Sequence, residues 1–345
     1  MKCLLVDQGV PPGDCLTITP TGEKKRACEV TLRIREGVYE RIIKSMHLSR
    51  PEDYFSVYSS GCNHNCLKCH SSEFSKNVNG EWISIDMLAV IASDYCRSVT
   101  VEEPRSRATM WHAEDLCLHC GSCILYGKPS KYCPRKLKPS QIVLSPQGFG
   151  PARNILAFTG GDLTCNHQYY ALAAERIKEV TDEKLWVLVE TNGYALTKKN
   201  LEILREGGVD SFWLDIKAFD DEAHRWLTGC SNRGILALPE EMLKRGFVIE
   251  VLSLYIPGLV EMPQLIEIGG LLSRLDRTIP FTILAFFPEN EMRDYRHPTA
   301  QEMIEAFHGI KATGLQRVRL GNTGVFAKEE EDYRLLEDAV GFENF

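Results

Sequence analysis

Three cysteines fall within eight residues of this chain, at Cys62, Cys66 and Cys69, in the run Gly61-Cys62-Asn63-His64-Asn65-Cys66-Leu67-Lys68-Cys69-His70. Three thiolates at C-x3-C-x2-C spacing in one tight loop can hold three corners of a cubane 4Fe–4S cluster. The fourth iron is then left open to a small molecule. Clusters closed by four cysteines carry electrons, whereas an open iron can do chemistry. The competing reading is a zinc site completed by His64 or His70, although zinc prefers four closed ligands, often as paired C-x2-C knuckles.

A second group, Cys117, Cys120, Cys123 and Cys133, has the order C-x2-C-x2-C-x9-C-P. It resembles a ferredoxin-type run with a longer last gap. Four thiolates favour a closed 4Fe–4S cluster, with a single iron or zinc as the alternative. The basic residues Lys128, Lys131, Arg135, Lys136 and Lys138 around it read as a solvated face, or as a dock for an acidic electron donor such as ferredoxin or flavodoxin. The remaining six cysteines (Cys3, Cys15, Cys28, Cys96, Cys165 and Cys230) are scattered and read as small buried or surface thiols.

The rest of the chain has to position these groups. Its 345 residues are enough for one large α/β domain with additions, and 44% hydrophobic residues can supply a core. A net charge of −7 argues against nucleic acid as a partner. No apolar run approaches a membrane span, and residues 1–13 lack a signal-peptide pattern, so the expectation is a cytoplasmic protein off the membrane.

Residues 54–58 read as the strand that delivers the first cysteine loop, and residues 84–95 as a helix. From residue 154, apolar strands alternate with helices. Strands are expected at 155–158, 185–189, 211–214, 247–255, 281–287 and 317–320, with helices near 169–180, 198–206, 263–273 and 300–313. About six βα units imply a parallel sheet covered by helices. In such sheets functional residues gather at the C-terminal strand ends. The unusual polar motifs are all there: Gly160-Gly161-Asp162, Glu190-Thr191-Asn192-Gly193, Asp215-Ile216-Lys217 and Ile256-Pro257-Gly258. Adjacent glycines let a backbone approach a charged ligand. The carboxylates and the lysine can hold a ligand, or simply form an ion pair at the mouth of the sheet.

Taken together, these motifs resemble the radical S-adenosylmethionine (SAM) superfamily, in particular pyruvate formate-lyase activating enzymes. Glu190-Thr191-Asn192-Gly193 stands for their Asp-Thr-Asn-Gly, and Leu214-Asp215-Ile216-Lys217 for Leu-Asp-Leu-Lys. Residues 220–224, Leu227-Thr228-Gly229-Cys230-Ser231-Asn232 and Ile256-Pro257-Gly258 also match family text. Phe287-Pro288-Glu289-Asn290 with Gly321-Asn322 leans toward the AmmeMemoRadiSam branch. Gly160-Gly161-Asp162-Leu163 departs from Gly-Gly-Glu-Pro, and the Gly-Pro-Gly segment of glycyl-radical activases is missing.

The resemblance implies a partial (β/α)6 TIM-like barrel over residues 51–98 and 139–325. It leaves an N-terminal extension at 1–50, an inserted metal-binding segment at 99–138 and a tail at 326–345. It implies that Cys62, Cys66 and Cys69 carry the SAM-binding 4Fe–4S cluster. SAM would lie against Gly160, Gly161, Asp162, Glu190, Thr191, Asn192, Asp215, Lys217 and Pro257, with room for a monovalent cation near Glu190, Thr191 and Asp215. The implied reaction is reductive cleavage of SAM to a 5′-deoxyadenosyl radical that takes hydrogen from a protein, peptide or small molecule, with no catalytic side chain beyond the cluster. The competing class is an iron–sulfur electron-transfer or metal-binding protein without SAM chemistry.

Overall fold

A computed structural model describes residues 3–345. Seven parallel strands form the centre: Phe55–Ser59, Ile155–Gly160, Trp186–Thr191, Ser211–Asp215, Val248–Tyr255, Phe281–Ala285 and Val318–Gly321. Each pairs with the next in sequence order, so the sheet runs without strand exchange. Six crossovers join the seven strands, matching the six units expected. The described strands at the two ends of the sheet do not pair, and the barrel stays open.

The helices form because their apolar faces meet this sheet and their first turns are capped. His167–Val180 buries Tyr169, Tyr170, Ala173, Ala174 and Ile177. Met262–Leu275 buries Leu265, Ile268 and Leu272. Ser84, Thr197, Asp220 and Thr299 each accept a backbone N–H at a helix N-terminus. Each such cap stabilises by about 1 kcal/mol.

Three features differ from the sequence reading. Residues 28–34 alternate in sequence as a short strand would, but Ala27–Val30 is a helical turn, followed by a strand at Leu32–Arg35. The eleven-residue strand Val38–Leu48 pairs antiparallel with the first barrel strand and also with Leu32–Arg35 and Glu81–Ser84. It carries no clean alternation because Arg41 is fully buried among its apolar residues. Arg41 donates to the Gly161 carbonyl at 2.6 Å and to the Tyr170 hydroxyl.

The third difference concerns residues 99–138, expected as a polar insertion. Its lead-in is built into the barrel. Ala108 and Met110 pack against Tyr54, Ile155, Ala157, Leu188, Trp186 and Trp213, side chains from the barrel strands and the residue that leads into the first. The Ala108 carbonyl accepts from Ser211 Oγ at 2.6 Å, and Glu250 accepts the Trp111 N–H at 2.7 Å. Buried Arg153 fixes the same stretch, donating to Glu103 (2.5 Å) and to the carbonyls of Arg107 (2.7 Å) and Thr109 (2.8 Å). An arginine that satisfies several buried acceptors leaves them all uncompensated when removed. Arg153→Met is therefore expected to cost about 3 kcal/mol in urea unfolding; a loss below about 1 kcal/mol would show that the stretch is held by packing alone.

Candidate functional site

A cavity of 540 Å³ opens where the strands end. Cys62, Cys66 and Cys69 all line it, with Gly160, Asp162, Glu190, Thr191, Asn192, Asp215 and Lys217. Gly161 and Pro257 do not. Gly161 lies just behind the surface, and Pro257 is buried in the turn where Ile256 bridges Val260.

The first strand ends at Ser59, and Gly61 turns the chain with φ +77°. Burial pushes the Cys66 thiol up to about 12 and the Cys62 thiol higher still. Bare thiols there stay protonated, so a cationic centre is what would draw out the thiolates. His64 has no hydrogen-bond partner at either nitrogen and packs against Tyr194 and His224, away from the cavity lining. It is not placed to complete a zinc site with the three cysteines. His70 does line the cavity, with burial pulling its pKa down to about 4.

The Gly160-Gly161-Asp162 turn packs so closely on Phe74 and on the backbone of Ser59 and Gly61 that neither glycine leaves room for a side chain. Gly160 has φ +82°, and a Cβ at Gly161 would meet the Gly61 carbonyl oxygen at 2.2 Å. Asp162 was expected to face a ligand amine, but its carboxylate is occupied by protein. One oxygen accepts the Thr164 N–H at 2.7 Å; the other accepts Thr191 Oγ1 at 2.7 Å and the Asn192 N–H at 2.9 Å. Asn192 then donates to Asn63 at 2.6 Å, and its amide lies 3.9 Å from the Cys62 sulfur.

Glu190 turns into the barrel, accepting from Tyr54 (2.9 Å) and Thr159 (2.5 Å). Burial pushes it up to about 8, against the pull of these donors. Asp215 and Lys217 form an ion pair at the mouth. Asp215 Oδ1, Trp213 Nε1 and Glu52 Oε2 are buried at the cavity without protein partners, and so are free to meet a ligand.

Sequence reasoning missed the far wall. Met110, Glu114, Trp213, Arg319 and Phe345 line it, and Glu114 pairs with Arg319 at 2.9 Å. Only Arg319, a charge within a strand motif, carried a signal in the sequence. The second cysteine group stands beside this wall. His119 Nε2 lies 2.9 Å from Asp53, which also pairs with Arg50 at 2.9 Å. The neighbouring residues Pro51 and Glu52 line the cavity. The N–H of His119 reaches the Cys117 sulfur at 3.3 Å, and that of Arg135 the Cys133 sulfur at 3.4 Å. Such bonds favour thiolate at a ligating cysteine.

The family model described as the Radical SAM superfamily matches residues 56–266. The chain belongs to the radical SAM superfamily. Members of this superfamily use a 4Fe–4S cluster and SAM. A protein of Methanocaldococcus jannaschii provisionally named a glycyl-radical enzyme activating enzyme is 26% identical over 155 residues, which is 44% of this chain and 57% of that one. The 4-hydroxyphenylacetate decarboxylase activating enzyme of Clostridium scatologenes is 34% identical over 89 residues, 26% of this chain and 27% of that one. The radical SAM chain thus matches about half of the first relative's length and about a quarter of the second's. Among solved structures, a domain of pyruvate-formate lyase-activating enzyme from Bacteroides vulgatus aligns with 48% of this chain and 98% of its own, at 14% identity and TM-score 0.41. No helix among the described residues is long and apolar enough to cross a membrane.

Glu250, behind the far wall, gives the site a pH dependence. Burial lifts it from 4.5 to about 7, although the Trp111 N–H and Arg319 pull the other way. The folded chain therefore holds this proton more tightly than the unfolded one, and stability falls as pH rises from 4.5 to about 7. Glu250→Gln is expected to remove that part of the fall in urea midpoints across this window. Equal pH slopes in variant and wild type would refute the assignment.

Proposed function

We propose that the chain is a radical SAM enzyme of the activating-enzyme kind, in which Cys62, Cys66 and Cys69 hold a 4Fe–4S cluster whose bound SAM, once reduced, supplies a 5′-deoxyadenosyl radical that takes hydrogen from a protein or peptide. The observation that carries this reading is the convergence of three thiols, Gly160 and the Asp215–Lys217 pair on one cavity. The donor set fits the group: three soft thiols without a fourth, in a pocket where only a cationic centre would ionise them.

Each chain residue then has a physical task. Gly160 lets the backbone come close to the amino and carboxylate groups of a ligand. Asp162 is a positioning residue: it holds Thr191 and Asn192, and Asn192 holds the cysteine loop through Asn63. The Asp215 oxygen without a protein partner would serve as an acceptor for a hydroxyl of the bound ligand, and Lys217 neutralises the carboxylate's charge. Glu190, protonated at neutral pH and engaged by Tyr54 and Thr159, keeps the barrel interior uncharged and is a poor cation ligand. Leu252, Leu254, Leu284 and Phe287 give the cavity apolar walls that exclude water from a reactive centre.

Cys117, Cys120, Cys123 and Cys133 are assigned a metal, in the form of a closed cluster or a single ion. The exposed residues Lys128, Lys131, Arg135, Lys136 and Lys138 beside them are assigned to an acidic donor such as ferredoxin or flavodoxin. The relatives' names, both activating enzymes, favour a protein substrate over a small molecule.

The test is 5′-deoxyadenosine release by the anaerobically reconstituted protein with SAM and dithionite. Cys62→Ala is expected to release none. Asp162→Ala, which unpins two strand ends, is expected to slow release about 10- to 100-fold. Wild-type release no higher than that of Cys62→Ala would sink the reading.

A further inference from the structure

Five side-chain carboxyls line the cavity, and four of them are met by protein groups. Glu114 pairs with Arg319, and Asp215 with Lys217. Asp162 takes its three donors, and Glu190 takes Tyr54 and Thr159. Glu52 is the exception. It makes no ion pair among the described residues, and its Oε2 is buried without a partner. The cations around it are committed elsewhere. Arg50 and His119 hold Asp53. Arg153 gives its Nε to Glu103 and reaches Glu52 only at the main-chain carbonyl, at 3.2 Å.

Glu52 also stands away from the cysteine loop. It precedes the strand Phe55–Ser59, whereas Cys62, Cys66 and Cys69 follow it, and those five strand residues span about 16 Å. The acid is therefore at the other end of the cavity from the triad. Met110, Leu252, Leu254 and Leu284 line the same cavity, and Tyr58 and Trp213 add aromatic faces. An apolar cavity with an unpaired carboxyl at one end matches one kind of group, an alkyl stem with a cation at its tip. Aromatic faces suit such a cation as well. Burial raises the Glu52 pKa, a cost that a cation seated against the carboxyl would offset. Trp213 Nε1 is a second open group, a donor that can meet a carbonyl of the chain bearing the cation.

We propose that Glu52 anchors a basic side chain of the peptide or protein substrate, a lysine or arginine whose charged head pairs with the Glu52 carboxylate. This rests on the radical SAM reading of the cavity and deepens it by naming what the far end recognises. The positive charges of the lining do not compete there. Lys217 and Arg319 are each paired, and Lys68 stands in the cysteine loop, 3.5 Å from the centre of the Phe287 ring. The anchor is also firmly seated. Its neighbour Asp53 is held by Arg50 and by His119 from the second cysteine group. A head fixed at this depth sets how far the rest of the substrate lies from the triad, and so which of its atoms stands there.

The test is calorimetric binding of short probes to the anaerobically reconstituted full chain with SAM present. The probes are a capped glycine–lysine–glycine tripeptide, its arginine and norleucine counterparts, and n-butylammonium. The lysine or the arginine peptide is expected to bind about 10-fold more tightly than the norleucine peptide, which has the stem without the charge. Glu52→Gln is expected to erase that preference while binding the norleucine peptide as the wild type does, and Glu52→Asp to keep part of it. Binding of n-butylammonium as tight as that of the lysine peptide would overturn the peptide assignment in favour of a small amine. No preference in the wild type, no binding of any probe, or a preference that survives in Glu52→Gln overturns the anchor. Binding is read without turnover, which keeps the two readings apart. A wild type that releases 5′-deoxyadenosine without a charge preference refutes the anchor alone, and one with the preference but no release refutes only the radical reading.

Discussion

The carboxylate of Asp162 is the node on which the site depends. It sits at the end of the second barrel strand and takes three donors, two of them from the end of the third. Its own carbonyl accepts the Asn63 N–H at 2.7 Å, inside the first cysteine loop. Three strand ends are thus tied at one residue, two of them through its short side chain and the third through its carbonyl. A glutamate would reach further into the cavity and could not make the same set of bonds at the same place. Where related sequences read Gly-Gly-Glu, the aspartate here gives internal rigidity to the strand ends. Fixed geometry is what radical chemistry requires of a protein, because the reactive group belongs to the cofactor and the chain can only place it.

Behind this node the barrel interior is unusually polar. Glu190 and Glu250 are inside, Arg153 is buried at its base and Arg41 is buried just outside it, and each is heavily engaged. Burying such groups is costly unless every donor and acceptor is met. Burial raises both glutamates, Glu190 to about 8 and Glu250 to about 7, which disfavours their charged forms, while Arg153 collects backbone carbonyls and Arg41 the Gly161 carbonyl and the Tyr170 hydroxyl. Arg41 supports the Gly160-Gly161 turn from outside the barrel, and Arg153 supports the lead-in stretch from its base. The polar interior therefore serves the parts that regular strand pairing cannot hold.

The barrel and its strand-end motifs were legible in the sequence because they rest on local rules. Apolar runs of strand length separated by helical spacing can be read one unit at a time. Polar motifs at their ends follow from where such sheets open. What could not be read depends on distant contacts. Val38–Leu48 hides its strand character because buried Arg41 breaks the alternation. Residues 105–116 look like a loop, since the carbonyls that Arg153 and Ser211 hold are invisible in side-chain pattern. The bracing role of Asp162 could not be read because its partners lie some thirty residues away, on the neighbouring strand. Cys3, Cys15, Cys28, Cys165 and Cys230 looked scattered because only the folded extension brings them into one buried cluster.

This division of parts also separates general chemistry from selectivity. The thiol triad, the glycine turn and the Asp215–Lys217 pair all sit on the repeated strand ends. The opposite wall is made of irregular pieces: Met110 and Glu114 from the lead-in stretch, Pro51 and Glu52 from the loop before the first strand, and Phe345 from the tail. These pieces are cross-linked to the second cysteine group. His119 holds Asp53 beside Glu52, and Tyr132 stacks on Phe342, with ring centres 4.5 Å apart, three residues from Phe345. A metal held by Cys117, Cys120, Cys123 and Cys133 would thus set the position of the wall that a substrate meets. Repeated elements carry what a superfamily shares, and irregular elements carry what one member adds. The contacts of the second cysteine group run to the cavity wall, so its position bears on the shape of what the cavity admits.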